Sequence, residues 1–311
     1  MAEGDIALWR RARRRFYWLL TLVMVRLADR APLAVGRRMC VGLARLAVRL
    51  RRQDRRVAEV NLARAFTELD AREHSRLLRG STVALGLNLF DTLAAGRLLE
   101  IDDSVVEEPG PLPDQPRVGD VLADLAAPGR GVFVLTGHLG CWELLGGWLA
   151  RQVQSRGLKG LGVVTGTVRN PPVDRLLQDR RRRLGMTVLP RQEGARPLLR
   201  YLREGGIVAV LLDQNTRVEN LDIPFFGEPV PTPTGLARLA LRYGIPILPV
   251  AIARDQRKHR HVVLHRPPLA FKAGKVDDEN IRGLLTLCNA ELEYFIRRNP
   301  TEWVWFHHRW Q

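Results

Sequence analysis

Cysteine, aromatic residues and long apolar runs are all scarce in this chain. The three cysteines among 311 residues, Cys40, Cys141 and Cys288, have neither even pairing nor metal-ligand spacing. That excludes a disulfide framework and indicates a reducing compartment. No Gly-Lys-Thr phosphate-binding loop and no metal-ligand cluster occurs, so no cofactor is expected. The apolar stretch Phe16–Val25 covers ten residues, against the roughly 20 a helix needs to cross a bilayer. No small-residue cleavage site follows it closely, which argues against a signal peptide. Aromatics make up 6% of the chain and no nucleic-acid-binding module is recognisable, so nucleic acid is not an expected partner. No internal repeat is evident.

What is present is apolar bulk and arginine. A hydrophobic content of 46% over 311 residues suffices for a sizeable core, as one large domain or one domain with a helical extension. The net charge of +16 is unevenly placed: residues 1–60 hold 15 arginines against 5 acids, +10 of the total. Such a balance implies an anionic partner. An apolar segment that contains Tyr17 and Trp18, with Trp9 close before it, between Arg10–Arg15 and Arg26, suits a helix lodged in an anionic cytoplasmic leaflet. The plainer reading is a buried helix with a solvated arginine face.

Residues 1–100 read as helical, a membrane-associating region with apolar periodicity through 33–50, 54–66 and 71–98. Residues 101–119, with Pro109, Pro111, Pro113 and Pro116, read as a linker or surface loop. Residues 120–311 alternate. Strands fit 131–136, 159–165, 186–190, 206–212, 246–253 and 261–265, and helices fit 120–127, 140–154, 172–184, 195–204, 234–243 and 279–298. That alternation predicts an α/β fold, a layered sheet with helices on its faces.

The chemistry-bearing run is Gly131–Gly146, an apolar strand, a Gly-His turn and the start of a helix carrying an acid. A histidine at a strand's end, backed by a carboxylate, can act as general base toward a hydroxyl. His138 and Glu143 would point some 140° apart on a regular helix, so they meet only if His138 lies in the turn, which Gly137 and Gly140 permit. With seven histidines and 33 acids in the chain, chance alone supplies roughly 0.7 such spacings, so the context has to carry the reading. The bland alternative is a turn histidine next to an exposed helix acid. Cys141 reads as a packed thiol rather than a nucleophile. Asp213 ends a buried strand, where a parallel sheet's carboxyl edge places its site; a turn cap is the alternative. Arg169, at another strand's end, can pair an anionic group, while Arg180–Arg183 suggests a solvated helix face. Phe225 and Phe226 offer apolar surface for an acyl chain, or simply packing.

His138-Leu-Gly-Cys-Trp-Glu143, Arg169-Asn-Pro171, Asp213-Gln214, Phe225-Phe-Gly227, the helix Gly235–Ala240, Gly244-Ile-Pro-Ile-Leu-Pro249 and Asn299–Arg309 together resemble the lipid A late (secondary) acyltransferases, in that family's order and over nearly the whole chain. The His-x4-acid box is shared with glycerolipid acyltransferases generally. The resemblance implies a mixed sheet of the glycerolipid-acyltransferase kind with an N-terminal membrane-associating helical region. It implies transfer of a fatty acyl group from an acyl carrier protein thioester to a hydroxyl of a lipid A precursor, at the cytoplasmic face of the inner membrane. His138 would be the base and Glu143 would hold its other nitrogen. Arg169, Asp213, Phe225 and Phe226 would contact substrate. Oxyanion donors would be amides near Gly137–Gly140 or Arg169. Competing expectations are acylation of a phosphatidylinositol mannoside or another glycerolipid, and a non-catalytic basic membrane-binding protein.

Overall fold

A computed structural model describes the chain apart from residues 1, 2, 109–115, 127–129, 167, 169, 217 and 311, and apart from the side chains of 3–14, 16 and 17. Five helices come first: α1 (Glu3–Arg30), α2 (Leu33–Leu50), α3 (Arg52–Ala65), α4 (Ala71–Leu93) and α5 (Ala95–Leu99). Asp70 and Glu73 close a reciprocal capping box at the start of α4, each side chain accepting from the other's backbone N–H at 2.8 and 2.9 Å, so two orphan donors are satisfied locally. Among the described residues no helix is long and apolar enough to cross a membrane.

Strands and helices then alternate: β1 (Val105–Glu107), α6 (Val118–Ala126), β2 (Val132–Thr136), α7 (Trp142–Ser155), β3 (Leu161–Thr165), α8 (Pro171–Arg183), β4 (Met186–Pro190), α9 (Ala195–Arg203), β5 (Ile207–Leu211), β6 (Asn220–Phe225), β7 (Glu228–Pro233), α10 (Gly235–Tyr243), β8 (Ile247–Asp255), β9 (Arg260–His265) and α11 (Asp278–Arg298). Seven strands form one mixed sheet in the order β1-β9-β8-β2-β5-β3-β4, with β9 antiparallel to β8 and the central strands parallel. A sheet covered on both faces favours strands that are apolar throughout, and all five residues of β2 are buried. Its side chains alternate between two cores. Phe133 and Leu135 pack with α10 and α11 on one face, Val132 and Val134 with α6 and α7 on the other.

Two elements differ from the sequence expectation. Within 101–119, Val105–Glu107 joins the sheet edge as β1, parallel to β9, and the Glu107 carboxylate accepts from the Val118 N–H at 2.6 Å where α6 begins. The surrounding prolines and acids mask so short a strand. The segment 223–235, to which the sequence pattern assigns no strand, contains most of the β6–β7 hairpin. Its prolines are tolerated because a two-stranded ribbon leaves each outer edge unpaired. The connecting Phe226 and Gly227 both have positive φ, 52° and 81°, as a tight two-residue hairpin turn requires.

The N-terminal helices are fastened to the sheet at two levels. Gly36 lies under the Phe90 ring and Gly86 against the backbone of Cys40 and Val41, where an added Cβ would approach to 2.0 and 2.6 Å, so α2 and α4 touch nearly backbone to backbone. Below that contact lies a buried charge cluster. Asp91 of α4 accepts from Arg37 of α2 at 2.8 and 3.1 Å, from Arg254 of β8, and from His261 Nε2 of β9 at 2.9 Å. Burial alone would raise the Asp91 carboxyl, but His261, Arg254 and Arg37 hold it far below the usual range. Replacing Asp91 by Ala strands two guanidinium groups in the interior and is expected to cost about 3–5 kcal/mol, read by urea unfolding. Because the folded carboxyl titrates below its unfolded value, this contribution is present above about pH 4 and fades as the pH falls further. The wild type should therefore lose more stability than Asp91→Ala between pH 5 and pH 3, on the order of 1 kcal/mol or more.

Candidate active site

Strand register assembles the site. Within the parallel pair β2–β5, Thr136 stands beside Leu211. His138 and Asp213 each lie two residues further on, so the same register sets them side by side at the carboxyl edge. Gly137 makes this approach possible, since a Cβ there would sit 2.7 Å from Asp213 Oδ2. Gly140, at φ +61°, then turns the chain into α7 against the Ile252 carbonyl. Asp213 is fully buried, and its carboxylate takes three donors: His138 Nδ1 at 2.8 Å, the His138 backbone N–H at 2.6 Å and Trp303 Nε1 at 2.7 Å. Burial would raise this carboxyl, yet the His138 ring, His307 and the Trp303 bond hold it far below the ordinary range. An ionised carboxylate only accepts, so the proton sits on His138 Nδ1. Nε2 is then a bare lone pair with no protein partner among the described residues, on a side chain 19% exposed. The ring rests edge-on against Trp142, centroids 4.9 Å apart.

The turn after α11 closes over this pair. The Val304 N–H donates to the His138 carbonyl at 3.2 Å, and the Gly140 N–H to the Glu302 carbonyl at 2.9 Å. His307 Nε2 lies 3.1 Å from the Asp213 carbonyl. The fully buried Arg309 donates to Asn215 Oδ1, Pro231 O and Thr232 Oγ1 at 3.0, 2.6 and 3.1 Å. From α3, Asn61 Nδ2 donates to the Trp305 and His307 carbonyls at 2.8 and 2.7 Å. The motif Trp303-x-Trp305-x-His307-x-Arg309 is therefore a bracket that fixes Asp213, β7 and α3 to one another.

Several expected roles are redistributed. Glu143 does not hydrogen-bond to His138. In the first turn of α7 it faces α8 and forms a bidentate pair with Arg181, at 2.5–3.1 Å, and Asp213 has the imidazole nitrogen instead. Asp213, expected at the substrate, is sealed beneath the ring. Phe225 and Phe226, expected to line an acyl chain, are 0% and 8% exposed. They stack with Phe66, Trp303 and Trp310, because the β6–β7 turn folds inward. Arg169 lies outside the described residues. Arg181, read as a solvated face, is largely covered at 20% side-chain exposure. Of the amides from Gly137 to Gly140, those of His138 and Gly140 are already bonded within the protein. Cys141 is fully buried and its thiol is pushed up to about 12 by burial, then by Asp91, which rules it out as a neutral-pH nucleophile. Sequence reading found the strand ends bearing His138 and Asp213. It could not pair them, because adjacency of β2 and β5 is a property of strand order.

Residues 8–311 match the family described as bacterial lipid A biosynthesis acyltransferase. Over 272 residues, 85% of this chain and 77% of the relative, the chain is 25% identical to lipid A biosynthesis acyltransferase 1 of Shigella flexneri. The same figures hold for lipid A biosynthesis myristoyltransferase of Escherichia coli strain K12. A shorter stretch of 137 residues is 31% identical to phosphatidylinositol mannoside acyltransferase of Mycobacterium tuberculosis, and spans 42% of this chain but only 41% of that relative's length.

Two outcomes follow from the geometry alone. Trp303→Phe keeps an aromatic ring, though a smaller one, and removes one donor from a buried carboxylate; it should destabilise the fold by about 1.5–3 kcal/mol in urea unfolding. Iodoacetamide at pH 8 should leave Cys141 and Cys288, both held near 12 by burial, unlabelled in the native protein and label them after denaturation.

Proposed function

The chain belongs to the bacterial lipid A biosynthesis acyltransferase family, and we propose that it moves a fatty acyl group from an acyl carrier protein thioester to a hydroxyl of a lipid A precursor at the cytoplasmic face of the inner membrane. The observation that carries this reading is the His138–Asp213 pair, with Nδ1 bonded and Nε2 open. An alcohol is too weak an acid to attack a thioester unaided. In the proposed step the hydroxyl oxygen bonds to the thioester carbonyl carbon while Nε2 takes its proton. Asp213 stabilises the imidazolium that forms, as the acid of a catalytic triad does. The tetrahedral adduct collapses, the carbon–sulfur bond breaks, and the imidazolium returns the proton to the leaving thiolate. No acyl-enzyme is needed. Arg169 is proposed to face the oxyanion or an acceptor phosphate.

Glu143 takes a different part in this scheme. By holding Arg181 of α8 against the first turn of α7 it fixes a guanidinium that we assign to anionic substrate charge, and so acts through Arg181. The second reading, transfer to a phosphatidylinositol mannoside or another glycerolipid, draws on the similarity to the mycobacterial relative. It differs only in the acceptor, so parallel assays with both lipids as acceptor separate the two.

His138→Ala is expected to abolish transfer in a thioester-consumption assay. Asp213→Asn should lower the rate by about 10²–10⁴ and the double variant should be scarcely worse than His138→Ala, since both act in one proton relay. More than a tenth of wild-type activity in folded His138→Ala would refute the mechanism. Glu143→Ala and Arg181→Ala should each lower activity by a similar factor, with little further loss when combined. Additive losses would mean that Glu143 acts independently of Arg181.

A further inference from the structure

One face of α2 is left uncovered. Val35, Met39, Leu43, Leu46 and Leu50 recur at the three- and four-residue spacing that aligns side chains in a stripe, and all five are exposed, from 44% at Met39 to 70% at Leu50. Next to them Gly36, Cys40 and Ala44 are buried against α4. On the opposite flank Arg38, Arg45 and Arg49 are exposed, with no carboxylate partner among the described residues. The stripe runs about 22 Å along the helix. On neighbouring α1, Leu19, Leu20 and Val23 are exposed as well.

The position of α2 gives this face a use. It packs on α4, and α4 reaches the floor of the site: Asn88 donates to Glu302 Oε2 at 3.1 Å and Thr92 Oγ1 meets Cys141 Sγ at 3.5 Å. Glu302 in turn accepts the Gly140 N–H beside His138. Whatever α2 rests on is thereby fixed relative to the carboxyl edge of the sheet. We propose that α2 seats the protein on an anionic lipid surface, lying along it with the Val35–Leu50 stripe sunk among acyl chains and Arg38, Arg45 and Arg49 among the phosphates. From the functional reading this takes only that the acceptor is a membrane lipid. The arginine flank selects the occupant. A second copy would set guanidinium against guanidinium in a chain of net charge +16, whereas anionic headgroups complement it.

The test uses the full chain and sedimentation with vesicles of phosphatidylcholine alone or mixed with phosphatidylglycerol. Leu43→Glu/Leu46→Glu should reduce binding to the mixed vesicles at least tenfold, with an unchanged circular dichroism spectrum and unchanged transfer to a detergent-dispersed acceptor. Arg38→Gln/Arg45→Gln/Arg49→Gln should lose most of the preference for phosphatidylglycerol and most of the salt sensitivity. Wild-type binding by folded Leu43→Glu/Leu46→Glu would overturn the proposal. So would a wild-type dimer that this variant dissociates while vesicle binding stays intact. Vesicle binding through α2 without acyl transfer to any lipid would leave this inference standing and remove the functional reading. Transfer that persists while vesicle binding ignores both variants would do the reverse.

Discussion

A single buried carboxylate, Asp213, sets the terms for the site. Removing an ionised group from water costs several kcal/mol unless donors replace the lost hydration. Here the replacement comes from two places far apart in sequence, the ring and backbone of His138 and the indole of Trp303. The strand ends must stay in register and the turn after α11 must dock, or the charge is left unmatched. Gly137, Gly140, Asn61 and Arg309 each serve that arrangement, by giving room or by holding the bracket in place.

The molecule contains a second buried Asp–His pair, and the comparison shows what separates chemistry from architecture. Asp91 and His261 have an ion-pair geometry close to that of Asp213 and His138, at 2.9 and 2.8 Å. Around Asp91, however, two arginines neutralise the acid and the imidazole is 1% exposed. Its remaining nitrogen, Nδ1, has no partner among the described residues and is closed off from water. Burial pushes that ring's pKa below the ordinary imidazole value, against the pull of Asp91. The pair ties α2 and α4 to β8 and β9. At His138 the ring edge is open, and the partner acid is balanced by uncharged N–H donors, so its negative charge remains available to a protonated imidazole.

Most of the layering was legible in the sequence, because buried parallel strands are short apolar runs and the helices between them have clear periods and caps. The helices over 33–50, 172–184 and 279–298 and the strands over 131–136 and 186–190 lie within a residue or two of their observed bounds. What escaped depends on tertiary adjacency. Glu143 lies five residues from His138, yet its helix turns it toward Arg181, while Asp213 reaches the same ring from 75 residues away. Phe225 and Phe226 looked like ligand-facing aromatics because nothing local reveals that their hairpin folds inward onto Trp303 and Trp310. The strand β1 was hidden by the prolines around it.

The bracket has a consequence for the order in which the protein becomes competent. Trp303 follows Asp213 by 90 residues, which at about 5–20 residues per second is roughly 5–18 s of translation. Throughout that interval the residues of β2 and β5 are already made, while the carboxylate still lacks its indole donor and the β2–α7 turn lacks its clamp. Asp213 must therefore stay hydrated, and the edge of the sheet open, until the segment after α11 arrives. A growing chain carries His138 and Asp213 long before the indole that completes the acid's set of donors, so the site is finished only once the segment after α11 has docked.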